Sequence, residues 1–303
     1  MSHVLVTGGT GLVGRFITEG LLAAGYEVSV AGRRPHAAGF FSAPVGFRAA
    51  ELVPEGPQAG LFEGITALVH AAFDHVPGRY RGGEGDDPDG FRARNLTGTQ
   101  RLFEAARTAG LRRAVFISSR AVYGRPPAGA RLFETSEPAP DTLYGSVKLG
   151  GEQALAAMSG PGFSGASLRV TGVYGPPAPG RTHKWADLFA DYLAGREVTP
   201  RAGTEVHGRD VADAVRRLLD APAHALAGSV YNVSDLVIDR RDILAPLKAA
   251  SACPYPLPPA ADAAALNVMD TGRLEAVGWR PGGRALFNAT MTALTSATET
   301  GRR

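Results

Sequence analysis

The sequence has one cysteine, three lysines and no long apolar run. Cys253 alone cannot form an internal disulfide, and no Cys/His spacing of the zinc-binding kind occurs, so we predict no metal site. No apolar stretch approaches the roughly 18–20 residues that span a bilayer. The first predicted strand begins at His3 or Val4, so we expect no signal peptide and a cytoplasmic protein.

The positive charge of this chain is almost entirely arginine. The 303 residues have a formal net charge of +3 and a pI near 9.2, yet the lysines are only Lys148, Lys184 and Lys248. The arginines are scattered, and no basic stripe with interleaved aromatic residues occurs. We therefore predict neither a nucleic-acid nor a membrane partner. The length suffices for one large α/β core with a smaller lobe.

A glycine-rich turn joins the first predicted strand, around Val4–Val6, to an amphipathic helical pattern. Gly8 permits a tight turn, Gly11 lets a pyrophosphate approach the backbone, and Gly14 lets the helix pack on the strand. The first-turn N–H groups and the positive end of the helix dipole then face the anion. In this strand–turn–helix context the pattern predicts dinucleotide binding rather than an ordinary turn.

Strand and helix patterns alternate after this turn, which predicts a parallel sheet with helices on both faces. A glycine-rich and charged stretch at 74–90 is predicted to be a surface loop, and Asn95 is predicted to begin a helix. Further strands are predicted at 27–31, 47–52, 66–72, 114–118, 166–170 and 231–233.

Arg33 and Arg34 follow the second predicted strand, where the adenosine ribose lies in folds of this kind. A carboxylate there would bind the 2′-hydroxyl of NAD, whereas arginine suits the 2′-phosphate of NADP. The alternative interpretation is a pair of surface arginines. We therefore predict that NADP is favoured, while NAD is still compatible with the sequence.

Tyr144 and Lys148 are four residues apart in a predicted helix, so they share one helix face. A free tyrosine has a pKa near 10, and a lysine ammonium one turn away favours the phenolate and lowers that pKa. Ser119, at the end of a predicted strand, can hydrogen-bond a substrate oxygen. The set predicts proton transfer beside a nicotinamide, and the alternative is a solvated helix face.

These motifs together resemble the extended short-chain dehydrogenases/reductases of the NAD-dependent epimerase/dehydratase type, nearly from end to end. The matching stretches are Thr7-Gly8-x-x-Gly11-x-x-Gly14, Val69-His70-Ala71-Ala72, Asn95-Leu96-Thr97-Gly98-Thr99, Ser118-Ser119-x-x-Val122-Tyr123-Gly124, Tyr144-x-x-x-Lys148, Leu168-Arg169, Val173-Tyr174-Gly175-Pro176, Asp210-Val211-Ala212, Tyr231-Asn232-Val233 and Gly278-Trp279-x-Pro281.

The resemblance implies an α/β fold, namely a Rossmann doubly wound parallel sheet with a small C-terminal α/β substrate lobe. The dinucleotide-binding domain would span residues 1–170, and the chain would return to it at about 206–233. The lobe would comprise residues 171–205 and 234–303. The helices that carry Asn95 and Tyr144 would form the interface of a homodimer.

The resemblance also implies site residues, which join those derived above. The predicted catalytic residues are Ser119, Tyr144, Lys148 and Asn95. The predicted cofactor contacts are Thr7, Gly8, Gly11, Leu12, Val13, Gly14, Arg33, Arg34, Glu51, Leu52, Ala71, Ala72, Phe73, Asn95, Ser118, Tyr144 and Lys148. The predicted substrate contacts are Ser119, Arg120, Gly172, Arg181, Lys184 and His207, whose cationic members suggest an anionic small-molecule substrate.

Three departures from the family pattern bear on the substrate. Gly172 stands where many relatives that act on nucleotide sugars have asparagine, and Gly203 where they have a phosphate-binding arginine, although Arg201 and Arg209 are close enough to take its place. Both departures weaken a nucleotide-sugar interpretation. Arg120 and Ala121 replace the acidic pair with which the sugar dehydratases expel water, so dehydration is not expected.

The favoured interpretation is an NAD(P)-dependent oxidoreductase that acts on a hydroxyl or carbonyl of a sugar-like or small polar substrate. The alternative is an NAD(P)-dependent sugar epimerase, which oxidises and re-reduces its substrate and retains its cofactor. A non-catalytic NADP sensor is less favoured, because such a protein would be expected to lose Tyr144 or Lys148, and both are present.

Overall fold

In the computed structural model, residues 2–57, 59–76 and 82–300 are described. Ten strands lie within these residues. In chain order they are β1 His3–Thr7, β2 Glu27–Gly32, β3 Gly46–Ala49, β4 Ala67–His70, β5 Arg113–Ser119, β6 Ser164–Val170, β7 Gly172–Tyr174, β8 Ala202–His207, β9 Ser229–Val233 and β10 Leu236–Asp239.

Ten α-helices lie within the same described residues. They are α1 Leu12–Ala23, α2 Pro88–Arg92, α3 Gly98–Thr108, α4 Leu143–Met158, α5 Ala186–Leu193, α6 Gly208–Asp220, α7 Ala223–Leu226, α8 Arg240–Ser251, α9 Gly272–Ala276 and α10 Gly283–Thr300. A π-helical turn, Ala93–Thr97, joins α2 to α3, and a 3₁₀ turn, Arg120–Tyr123, follows β5.

Seven parallel strands form the large sheet in the order β3-β2-β1-β4-β5-β6-β9. On β1, Val4 and Val6 point to one face and pack with Ile17 of α1, whereas Leu5 points to the other face and packs with Phe103 of α3. Successive strand side chains alternate between faces, so a sheet covered on both sides needs continuous apolar strands. The predicted doubly wound α/β architecture is confirmed.

A smaller sheet follows the order β10-β8-β7, with β7 parallel and β10 antiparallel to β8. An apolar cluster of its own, which includes Tyr174, Trp185, Ile238, Leu244 and Phe287, packs around it. β7 begins two residues after β6 ends, so the two sheets join at the carboxyl edge of the large one. The division of the chain into a cofactor domain and a substrate lobe stays a prediction.

The helix predicted to begin at Asn95 begins earlier. Asp87 caps α2 by accepting the Gly90 N–H at 2.9 Å, and Pro88 occupies the first helical position, where proline is favoured. The helical chain then runs on through the π-helical turn, so Asn95 lies in its interior and is not a cap. Of the loop predicted at 74–90, residues 77–81 lie outside the described residues.

The third strand is also shorter than predicted. β3 ends at Ala49, so Glu51 and Leu52 follow the strand. Leu52 packs against the helical segment at Gly98, where an added Cβ would lie 3.2 Å from its Cγ. The side chain of Glu51 is exposed.

Candidate active site

The glycine turn after β1 leaves an open cradle at the N-terminus of α1. Gly8 has a φ of +68°, and an added Cβ there would lie 2.7 Å from the Ala72 Cα. A Cβ at Gly14 would collide with the Gly8 carbonyl oxygen. Gly11 caps α1 without any side-chain hydrogen bond, so the first-turn N–H groups of Leu12 and Val13 are left for an external acceptor. This cradle fits the pyrophosphate of a dinucleotide.

A buried histidine ties the ends of β1 and β4 together beside this cradle. His70 Nδ1 lies 2.7 Å from Thr7 Oγ1, and its Nε2 lies 2.9 Å from Thr99 Oγ1. Thr99 donates its own proton to the Asn95 carbonyl oxygen at 2.6 Å, so His70 donates from Nε2 and accepts from Thr7 at Nδ1. Burial, with a smaller effect of the Lys148 charge, lowers the pKa of His70 to about 3. The imidazole is therefore neutral, and its role is to hold Thr7 and Thr99 by hydrogen bonds.

Asn95 holds the chain that follows β4. Its side chain is 2% exposed; Oδ1 accepts the Asp74 N–H at 2.7 Å, and Nδ2 donates to the carbonyl oxygens of Asp74 and Phe91 at 2.7 and 3.0 Å. These bonds fix the backbone next to Ala72 and Phe73, which were predicted to line the cofactor. The structure therefore gives Asn95 a positioning role, and contact of Asn95 with a cofactor stays a prediction.

Lys148 is buried, with 4% of its surface exposed. Its Nζ donates to the Ile117 carbonyl oxygen at 2.8 Å. The same atom lies 4.6, 4.8 and 6.0 Å from the ring centres of Phe73, Phe116 and Tyr144. Three aromatic faces therefore surround the ammonium group, where each attracts a cation.

Burial lowers the pKa of Lys148 to about 7, and the nearby Glu152 carboxylate opposes that shift. Glu152 of α4 is 4% exposed and pairs with Arg169 of β6 at 2.7 Å. Ser118 Oγ also donates to this carboxylate. The Ser118 side chain thus faces the interior, although its backbone lies at the cofactor edge of the sheet. The sequence reasoning missed Glu152 as a partner, and its signal was its position one turn after Lys148.

Tyr144 lies at the start of α4, next to the turn that carries Ser119. Thr142 caps this helix by accepting the Gly145 N–H at 3.1 Å, and a Cβ on Gly145 would lie 2.6 Å from the Ala121 carbonyl oxygen. Ser119 Oγ accepts the Ala121 N–H at 3.1 Å, which fixes the hydroxyl at the end of β5. The Tyr144 ring meets Phe73 edge to face, with 5.0 Å between ring centres. Close packing thus brings the predicted catalytic side chains to one edge.

Among the predicted substrate residues, Gly172 and Lys184 surround an acidic side chain that sequence reasoning missed. Glu205 lies opposite Gly172 in the β7–β8 register, and Lys184 Nζ pairs with its carboxylate. The signal for Glu205 was the alternation along β8, which places it on the same face as Gly203.

The other predicted substrate residues differ in exposure. Arg181 is exposed, and Arg120 is half-buried with Nη2 3.5 Å from the Asn267 carbonyl oxygen. His207 is 1% exposed, accepts the Arg209 N–H at Nδ1, and packs between aromatic rings of α1 and β7. Burial, with a smaller effect of the Arg209 charge, lowers the pKa of His207 to about 4. Substrate contact by these residues stays a prediction.

Arg33 and Arg34 lie exposed just beyond the end of β2, and neither has an acidic partner among the described residues. Both guanidinium groups are therefore available to an anion. In the part of the chain that the structure describes, no cluster of three or more His, Cys, Asp or Glu side chains could hold a metal ion. Nor does any described helix have the length and apolar character needed to cross a membrane.

The model of the NAD dependent epimerase/dehydratase family matches residues 4–234. A dTDP-6-deoxy-L-talose 4-dehydrogenase (NAD(P)(+)) of Kitasatospora kifunensis is 33% identical over 184 residues, 60% of this chain. A UDP-glucose 4-epimerase of Streptomyces lividans is 34% identical over 199 residues, 57% of this chain. Each match covers 55% of that relative's own length.

Among solved structures, the UDP-glucose 4-epimerase of Thermus thermophilus, in complex with NAD, superposes with a TM-score of 0.75. It is 28% identical in sequence, and the match covers 97% of this chain and 99% of that one. The family match covers most of the chain and includes the glycine cradle, the Tyr144–Lys148 helix and the strand ends beside them. This protein belongs to the NAD dependent epimerase/dehydratase family.

Proposed function

We propose that this protein is an NAD(P)-dependent oxidoreductase that acts on a hydroxyl or carbonyl group of a sugar-like or small polar substrate. The observation that carries the proposal is the buried Lys148, whose Nζ lies 6.0 Å from the Tyr144 ring centre on the same face of α4. The Ile117 carbonyl oxygen and three aromatic rings stabilise this ammonium group, but no carboxylate among the described residues pairs with it, so desolvation of its charge is still costly. A cation at this position, one helical turn from Tyr144, favours the phenolate that proton transfer needs.

The roles of the side chains follow from this arrangement. The Tyr144 phenolate takes the proton from the substrate hydroxyl in oxidation, and the protonated phenol gives a proton to the carbonyl oxygen in reduction. Lys148 in its ammonium form lowers the pKa of that phenol, and Ser119 Oγ donates to the substrate oxygen. When bound, the nicotinamide accepts or supplies the hydride. The cradle of Gly8, Gly11 and Gly14 would hold the dinucleotide.

We further propose that NADP is preferred over NAD. The support is the exposed pair Arg33 and Arg34 just beyond β2, because guanidinium groups bind phosphate by paired hydrogen bonds. The Thermus thermophilus relative was solved with NAD, so the two cofactors must be compared directly. Arg33→Ala with Arg34→Ala is expected to weaken NADP binding at least tenfold and to leave NAD binding within twofold. Equal loss for both nucleotides would contradict the preference.

The first test is the release of any bound nucleotide from freshly purified, denatured protein, identified by mass and stoichiometry. Turnover on a panel of alcohols, aldehydes, sugars and uronic acids follows, measured at the nicotinamide absorbance. Tyr144→Phe is expected to lower kcat by about 10²–10⁴-fold, the usual contribution of a general acid or base. Nucleotide binding should be unchanged in this variant. Turnover that survives the substitution would refute the assignment of Tyr144.

An epimerase is the second candidate, because a relative named as a UDP-glucose 4-epimerase aligns over 57% of this chain. An epimerase needs the same side chains but keeps its cofactor through both redox steps. Near-stoichiometric nucleotide in the purified protein would favour the epimerase, whereas an empty protein would favour a dehydrogenase that exchanges its cofactor. A nucleotide-bound protein inactive on all substrates of either kind would instead favour the NADP sensor.

Three finer expectations belong to this proposal. An anionic substrate would depend chiefly on the exposed Arg181, because Lys184 is paired and His207 is buried. A homodimer would form through α3 and α4. Light scattering coupled to size-exclusion chromatography, which gives the molar mass of the protein as it elutes, tests this expectation. A cytoplasmic location stays a prediction.

A further inference from the structure

Glu205 lies close to the edge of the sheet where Tyr144 and Ser119 meet. In the large sheet Ser119 pairs with Val170, the last residue of β6. Gly172 comes two residues later, and in the small sheet it pairs with Glu205 on the central strand β8. Two residues of extended chain span about 7 Å, so the small sheet presents Glu205 beside the reaction edge.

The missing side chain at Gly172 makes room for this carboxylate. A Cβ on Gly172 would lie 2.6 Å from Glu205 Oε2 and 2.8 Å from Oε1, closer than atoms approach without a shift. A Cβ on Gly203, which shares the face of β8 with Glu205, would lie 3.9 Å from Oε1. The carboxylate is therefore the only side-chain functional group that these three positions contribute.

The charges of Lys184 and Glu205 balance each other. Lys184 Nζ contacts the Glu205 carboxylate, and the two side chains are 29% and 14% exposed. The cation of Lys184 is therefore engaged and is not free to bind a phosphate. A diphosphate that approached Gly172 would therefore find no free cation at Lys184 and would meet the Glu205 carboxylate, which cannot donate a hydrogen bond to it.

We propose that Glu205, held by Lys184, sets the substrate class by excluding a diphosphate and accepting hydroxyl groups of a sugar that carries no nucleotide. An ionised carboxylate only accepts hydrogen bonds, so sugar hydroxyls suit it and phosphate oxygens do not. This inference rests on the proposed function, whose substrate it narrows. Glu205 is thus a specificity-determining residue, and the unsubstituted Gly172 is its structural counterpart.

The test measures the binding of UDP by calorimetric titration to the full-length wild type and to Glu205→Gln. The substitution keeps the shape of the side chain, removes the like charge and frees Lys184. We expect UDP to bind the variant at least tenfold more tightly than the wild type. The added substitution Lys184→Ala should abolish the gain, and Glu197→Gln, at an exposed glutamate, should produce none. A change below threefold in Glu205→Gln would overturn the proposal.

A second measurement needs no variant, in case Glu205→Gln does not fold. UDP-glucose and glucose are each titrated into wild-type protein saturated with nicotinamide cofactor. We expect their dissociation constants to differ by less than tenfold, and a much tighter UDP-glucose complex would overturn the proposal. Because both titrations report binding alone, they are independent of turnover. Failure of the proposed function would appear instead as activity that survives Tyr144→Phe.

Discussion

Lys148 and Glu152 lie one turn apart on the buried face of α4, yet different groups hold their charges. Lys148 Nζ donates to the Ile117 carbonyl oxygen at 2.8 Å, and Glu152 is engaged by Arg169 at 2.7 Å. Because Arg169 neutralises Glu152, burial dominates the lysine and its pKa falls to about 7. The enzyme family's tyrosine–lysine helix thus carries here a lysine that titrates near neutral pH.

This lysine predicts a pH-dependent stability. Its pKa is about 7 in the folded protein, against an ordinary value of 10.5, so the unfolded chain binds more protons between these pH values. The free energy of unfolding should therefore rise with pH across this window, by at most about 1.4 kcal/mol per pH unit from this group. Lys148→Met should remove that slope in urea titrations at pH 7, 8 and 9.

The matched control for this experiment is Lys248→Met. Lys248 also donates to backbone carbonyl oxygens, those of Cys253 and Tyr255. Its loss should lower stability equally at every pH and preserve the slope. An unchanged slope in Lys148→Met would show that the buried lysine does not titrate in this range.

Two buried histidines predict a loss of stability in mild acid. His70 and His207 have pKa values of about 3 and about 4 in the folded protein, against an ordinary value of 6.5. Between these limits only the unfolded chain binds the proton, so stability falls as pH drops from 6.5 towards 4, by at most about 1.4 kcal/mol per pH unit for each group. His207→Asn keeps an acceptor for the Arg209 N–H. It should reduce the slope of the unfolding free energy against pH by the contribution of one titrating group, at most about 1.4 kcal/mol per pH unit.

The control variant for the stability measurements in mild acid is His224→Asn, at an exposed histidine. Urea titrations at pH 4.5, 5.5 and 6.5 should give the same acid slope for this variant as for the wild type. If His207→Asn also keeps the full slope, protonation of His207 does not oppose folding.

We predict that substitutions at two glycines affect different properties, nucleotide binding at Gly8 and only stability at Gly25. Gly8 and Gly25 both have positive φ, +68° and +81°, but only a Cβ on Gly8 would meet other atoms, at 2.7 Å from Ala72. Gly8→Ala should therefore displace the chain at Ala72 and weaken nucleotide binding at least tenfold. Gly25→Ala should cost about 1 kcal/mol of stability from backbone strain and leave nucleotide binding unchanged. Fluorescence titration with NADPH and NADH, with urea unfolding, measures both quantities, and equal binding losses would contradict the cradle.

We predict that the hydrogen bonds of Asn95, which hold the chain after β4, affect both stability and activity. Asn95→Ala removes three hydrogen bonds and leaves the part-buried backbone groups of Asp74 and the buried carbonyl oxygen of Phe91 without this partner. The expected cost is about 1–3 kcal/mol of unfolding free energy, together with a lower kcat/KM because the chain beside Phe73 loosens. Asn288→Ala, at an exposed asparagine of α10, should change neither quantity. A stable but fully active Asn95→Ala would limit Asn95 to a dispensable contact.

Local patterns were sufficient for much of this protein. The glycine spacing and the strand–helix alternation depend on backbone conformation and on periodicities of two and 3.6 residues, which neighbouring residues decide. The Tyr144–Lys148 spacing likewise follows from one helical turn. The start of α2 was misjudged because Asn95 is a good capping residue, whereas Asp87 and Pro88 provide the actual cap.

The sequence by itself determined the α/β class, the family and the positions of Tyr144 and Lys148, because these depend on short-range order along the chain. Only the tertiary structure decided which charges are neutralised, because the partners lie far apart in sequence. Arg169 reaches Glu152 across 17 residues, and Lys184 reaches Glu205 across 21. Burial then sets the pKa of Lys148 and the partial dehydration of the Glu205 carboxylate beside Gly172. Burial exists only once the sheets and helices have packed.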